Sequence, residues 1–102
     1  MSKRSRDWNE GLAKDLRNPE FAQAYLVALL DEGFGLQEAL GKAIRAYGVR
    51  EFATKAKLPS SNVVRSIDPR HNPTQKTLEQ LLKPFKLSLA VAPMSKGRKR
   101  VA

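Results

Sequence analysis

The sequence predicts an all-α fold, a small bundle of about five to six helices with room for one short C-terminal β-strand. Three observations predict it. Apolar residues recur three and four positions apart through successive stretches, the period of a helix with one buried face. Those stretches are divided by Asn18-Pro19, Gly33, Gly35, Gly48, Asp68-Pro69 and Asn72-Pro73, residue types that begin or end helices. The chain of 102 residues, 41% hydrophobic and 28% charged, suits one folded core and is too short for a two-domain enzyme with a cleft. With only 7% aromatic residues, that core is expected to be built from Leu, Ala, Val and Ile.

Taken in order, Trp8, Leu12 and Leu16 recur every four residues and predict a short helix over Asp7–Leu16, which Gly11 weakens. Asn18-Pro19-Glu20 is a helix start: Asn caps free N–H groups, Pro fits the first turn, and Glu favours the positive end of the dipole. Phe21, Ala22, Tyr25, Leu26, Leu29 and Leu30 then form a wide apolar stripe that ends at Gly33 and Gly35. Trp8, Phe21 and Tyr25 are read as core, the alternative being an exposed aromatic cluster for a partner. Leu36, Ala39, Leu40, Ala43, Ile44 and Tyr47 make the next helix, closed by Gly48. Two short helices follow, Val49–Ala56 and a second from Pro59 or Ser60 to Ile67, separated by little more than Lys57 and Leu58. Thr74 can cap a last helix with Leu78, Leu81, Leu82 and Phe85 inward, broken at Pro84. Leu87–Val91 alternates in part, a strand signal that suits an edge pairing with its twin across a dimer.

The residue inventory excludes much chemistry. There is no cysteine, hence no disulfide, thiolate metal site or cysteine nucleophile, and His71 alone makes no metal site. No metal or cofactor and no enzymatic activity are expected. The basic start is followed by Asp7 and Glu10 where a leader peptide needs an apolar run, and no stretch reaches the ~20 apolar residues of a membrane span, so a cytoplasmic protein is expected. The net charge of +9 makes a polyanion the first partner to consider. Its distribution is uneven: residues 18–34 carry three acids and no base, residues 49–73 five bases and two acids, and residues 94–102 four bases and no acid. The last segment reads as a nonspecific polyanion arm or a solubilising end rather than a recognition element.

Two helices joined by so short a turn are a helix-turn-helix arrangement, whose second helix can enter the major groove. Ala53 is small where the helices cross, and Leu58, Val63 and Ile67 plug the space between them. Ser60, Ser61, Val64 and Arg65 then face outward with chemistry suited to base edges: Arg forks onto guanine, Ser donates or accepts, and Val meets a thymine methyl. Ser60 doubles as an N-cap candidate. Asn62 can read adenine or turn sideways to phosphate. Arg50 at the start of the first motif helix suits a phosphate, and Arg70, Asn72 and Lys76 around the next helix start are further phosphate candidates. An ordinary helical domain with a similar turn remains the competing reading of the spacing.

Ala39-Leu40 with Ala43-Ile44-Arg45-Ala46-Tyr47-Gly48, then Phe52-Ala53 and Leu58-Pro-Ser-Ser-Asn-Val-Val-Arg-Ser-Ile67, are the residues in which the chain resembles the Xre/Cro-type, lambda-repressor-like helix-turn-helix family. Asn72-Pro73, Thr77-Leu78, Phe85-Lys-Leu-Ser-Leu89 and the upstream run Leu16–Leu26 with Leu29–Gly33 resemble its addiction-module antidote (HigA-like) regulators. The resemblance covers residues 12 to 92. It implies a homodimer on a palindromic double-stranded operator, repressing its own operon as the antitoxin of a toxin–antitoxin module. It also implies a small basic toxin as partner, with Glu20, Asp31 and Glu32 as candidates for holding it, although those acids read equally well as the wet face of a support helix. Two positions depart from the pattern: Lys57 in the turn and Lys86 after the last helix stand where the family has glycine. Both gain a cation near phosphate at a backbone cost if they are left-handed, which places Lys57 among the phosphate candidates. The organisation expected is a basic N-terminal segment with a short helix (1–17), a DNA-binding domain (18–92, motif about 49–67) and a basic tail (93–102). A stand-alone phage-type repressor, or a nonspecific RNA- or ribosome-associated protein, are the alternatives.

Overall fold

A computed structural model describes residues 10–94. Trp8 and the C-terminal basic tail from Ser95 lie outside the described residues. The described chain is all-helical: α1 over residues 10–15, α2 Pro19–Asp31, α3 Leu36–Tyr47, α4 Val49–Ala56, α5 Ser60–Ile67, α6 Gln75–Leu82, and a 3-10 turn Lys83–Phe85.

The helix starts follow the cap chemistry. Asn18 Oδ1 accepts from the Glu20 N–H at 2.9 Å with Pro19 in the first turn, and Thr74 Oγ1 accepts from the Thr77 N–H at 3.2 Å. Ser60 is not the cap of α5. Pro59 takes that position in extended backbone, its carbonyl accepts from the N–H groups of Asn62 and Val63, and no side chain caps the helix.

Three helical segments end in the same device. The N–H of a left-handed residue bonds three residues back, and that of its successor five back, satisfying carbonyls that a helix end leaves open. Gly33 and Phe34 do this on Leu30 and Leu29, Lys57 and Leu58 on Thr54 and Ala53, Lys86 and Leu87 on Lys83 and Leu82. The left-handed residue is Gly33 in the first case and lysine in the other two, Lys57 with φ 61 and Lys86 with φ 59. Leu58 and Leu87 pack against the core just after each lysine, and that burial holds the backbone in its left-handed turn.

One core serves every element. Leu16, Ala22, Leu26, Leu40, Ile44, Val63, Ile67, Leu81 and Leu82 are buried together. As expected from composition, twelve of the fifteen buried apolar residues of the described chain are Leu, Ala, Val or Ile, and they surround an aromatic centre: Tyr47, Phe52 and Phe85 meet edge-to-face or tilted, with centroids 5.3–6.2 Å apart. A low aromatic fraction does not decide where the few aromatics go, and large rings bury most area at the middle. Arg17 locks α1 and α2 onto this centre, its guanidinium 4.2 Å from the Tyr47 ring centroid and donating to the Tyr47 carbonyl at 3.1 Å. Gly48, with φ 110, makes the one-residue corner between α3 and α4, where a Cβ would run into the Glu51 carboxylate.

Leu87–Val91 forms no strand, and there is none among the described residues. A ladder needs a second strand, and among the described residues there is none for it to pair with; the expected pairing was with a second copy of the chain.

Candidate nucleic-acid interface

The candidate face is built on α4 and α5, which pack against each other across the three residues Lys57–Pro59. Along α5, Val63 and Ile67 are buried, and a residue one position off that stripe points away from it. Ser61, Asn62, Val64 and Arg65 are accordingly exposed, while Ser60 is half-buried. Val64 is 52% exposed, an apolar side chain left open on an otherwise polar face. Among the described residues, the side chains of Ser61, Asn62 and Arg65 make no hydrogen bond or ion pair. Their polar groups are free to meet a ligand.

Gln37 of α3, which the sequence reading passed over, sets the position of that face. Its Nε2 lies 2.8, 3.0 and 2.9 Å from the carbonyl oxygens of Ser66, Asp68 and His71, two N–H groups shared among three acceptors. One side chain thus gathers the last turn of α5 and the loop after it. The signal in the sequence was a polar residue at the head of an apolar stripe, in line with Leu40 and Ile44. Gln23 of α2 does a similar service at the other end of the fold, donating to the Phe85 carbonyl at 3.0 Å.

The phosphate candidates fall into three groups. Arg50 is exposed in the first turn of α4. Arg70, Asn72 and Lys76 are exposed around the loop into α6, but Arg70 already has a partner. Its Nε and Nη2 donate to the two carboxylate oxygens of Asp68 at 3.2 and 2.9 Å, and its backbone N–H donates to Oδ1 at 2.9 Å. These bonds from Arg70 hold the Asp68 carboxyl down at about 2, below its ordinary 3.8, and the two charges offset each other. Lys57 stands apart from the α5 face: it lines a groove with Lys55, Lys83 and Lys86.

Glu20 and Asp31 lie on one face of α2 about 16 Å apart, since eleven residues at 1.5 Å make three whole turns. Glu32 follows at the helix end. Val27 sits between them, 51% exposed, while Phe21 and Leu30, also exposed, lie half a turn apart on opposite sides of the helix. Phe21 stacks on Tyr25 with centroids 6.3 Å apart; Tyr25 packs against the core as expected, whereas Phe21, also expected there, is exposed at its edge. No helix among the described residues is long and apolar enough to cross a membrane. Comparison with family models, curated proteins and solved structures finds no match.

Proposed function

We propose that the protein is a sequence-specific double-stranded DNA-binding regulator of transcription, a binding protein rather than an enzyme. The observation that carries this reading is the outward face of α5, where Ser61, Val64 and Arg65 are unengaged while Val63 and Ile67 anchor the helix from behind. In the mechanism, α5 enters the major groove. Arg65 forks onto a guanine, Ser60 and Ser61 exchange hydrogen bonds with base edges, and Val64 meets a thymine methyl. Arg50, Asn62, Asn72 and Lys76 meet backbone phosphates, fixing the register without reading sequence. Lys57 adds a cation beyond the turn, and Arg70 contributes only when it leaves Asp68. An eight-residue helix reads few base pairs, so two copies acting on half-sites about one DNA turn apart supply the affinity. Such a protein works on the nucleoid.

Regulation of its own operon as the antitoxin of a toxin–antitoxin pair is the form of this reading that α2 favours over a stand-alone repressor. Val27 is exposed on the face of α2 that also carries Glu20 and Asp31, an apolar spot between carboxylates suited to a basic protein partner.

The test is footprinting on the promoter of its own operon, then binding of the recovered site against random duplex and RNA. Arg65→Ala is expected to cost about 1–3 kcal/mol on the recovered site and to relax preference at one base pair. Equal losses on specific and random DNA reject base reading by Arg65, and equal affinity for RNA favours the nonspecific alternative.

A further inference from the structure

Behind the turn, the ends of α4 and the 3-10 turn enclose a groove of about 480 Å³. Lys55, Lys57, Lys83 and Lys86 line it together with Gln80 and Pro84, and no carboxylate takes part in the lining. Among the described residues, none of the four ammonium groups is paired with an acid or hydrogen-bonded. Lys57 and Lys86 are also the two non-glycine residues with left-handed backbone. Glycine holds such a position at lower energy, because a Cβ there crowds the following carbonyl. Two strained positions therefore carry the same cation and open on the same groove. At these helix ends the carbonyls of Thr54, Ala53, Lys83 and Leu82 accept from the Lys57, Leu58, Lys86 and Leu87 N–H groups, so four of the carbonyls nearest the lysines are already engaged.

We propose that this groove is a binding site for closely spaced phosphates, of an oligophosphate or of consecutive links in a nucleic-acid strand. Adjacent phosphate groups remove the mutual repulsion of the four ammoniums, and lysine binds phosphate as a mobile point charge. The Gln80 amide adds neutral donors at the wall. The site stands whether or not α5 reads DNA.

The test is calorimetric titration of the full chain with tripolyphosphate at low salt. Lys57→Gly with Lys86→Gly removes two groove cations at positions where glycine relieves strain, so this variant melts higher than the parent and any loss of binding is not unfolding. Lys14→Gln with Lys42→Gln removes the same charge elsewhere. The groove variant is expected to bind tripolyphosphate about tenfold more weakly, and the control to stay within about twofold. Unchanged affinity in the groove variant, or equal losses in both, overturns the proposal. A second titration, in the presence of random duplex, identifies the source. Competition assigns the groove to a strand backbone and simultaneous binding to a free oligophosphate, and both outcomes support a phosphate site. Arg65→Ala leaves tripolyphosphate binding unchanged, which separates failure of this site from failure of base reading by α5.

Discussion

At the scale of single residues, energy is spent where geometry alone would not ask for it. Lys57 closes α4 with φ 61, although Gly33 performs the same closure on α2 without a Cβ. Lys57→Gly is expected to stabilise the fold by about 1 kcal/mol, the left-handed cost less the extra backbone entropy of glycine. Thermal melting checks it, with a rise of several degrees for a domain of this size. Arg70 and Asp68 show the opposite economy, a cation spent locally. The folded Asp68 carboxyl titrates at about 2 against an ordinary 3.8, so its pairing supports the fold above that ordinary value and is lost as pH falls through the folded one. Denaturant midpoints of the parent and Asp68→Asn are therefore expected to differ near neutrality and to converge by the acid end of that window. A constant gap across it shows that the charge is not what Asp68 contributes.

At the scale of elements, the helices were legible because each carries its own punctuation. Asn18, Thr74, Gly33 and Gly48 act where their chemistry allows, and the buried stripes of α3 and α5 follow the three-and-four spacing. What stayed hidden depends on long-range partners. Gln37 reaches residues about thirty positions along the chain, and no local pattern states which carbonyls it will meet. The lysine groove is equally non-local, since Lys55 and Lys57 meet Lys83 and Lys86 only after α4 and the 3-10 turn pack together. Leu87–Val91 shows the same dependence in reverse: alternation is local, but a ladder needs a partner, and within the described chain the segment has none. The clamp also sets a prediction for the candidate site. Gln37→Ala removes the amide donors shared by the three carbonyls at the end of α5 and its loop, at a cost of about 1–3 kcal/mol. Amide exchange is expected to quicken in α5 while Leu26 in α2 stays protected, and operator affinity to fall more than affinity for random duplex. Uniform quickening across both helices identifies Gln37 as a general stability residue instead.

At the scale of the whole molecule, the charge of +9 is divided between surfaces that do not share a helix. Residues 49–73 carry five bases against two acids and include the α5 face, while residues 18–34 carry three acids and no base. In the fold, α2 packs on α3 and the 3-10 turn, whereas α5 packs on α3, α4 and α6. A change of charge on α2 therefore reaches α5 through the field, which salt at physiological strength screens within about 8 Å, or through their shared neighbour α3. This makes the two proposed functions separable by mutation. Glu20, Asp31 and Glu32 are exposed and make no side-chain ion pair among the described residues, so reversing them to lysine leaves the packing of α2 intact. The triple reversal is expected to weaken capture of a basic protein encoded beside this chain, because carboxylates flanking Val27 become repulsive to it. Operator binding is expected to hold, and nonspecific DNA binding to rise with the added cations. Co-purification with the neighbouring gene product and a duplex-binding assay on the same preparation read both effects at once. Full capture by the reversed protein shows that the acids of α2 are only its solvated face, and loss of operator binding alongside capture shows that α2 and α5 are coupled through the core.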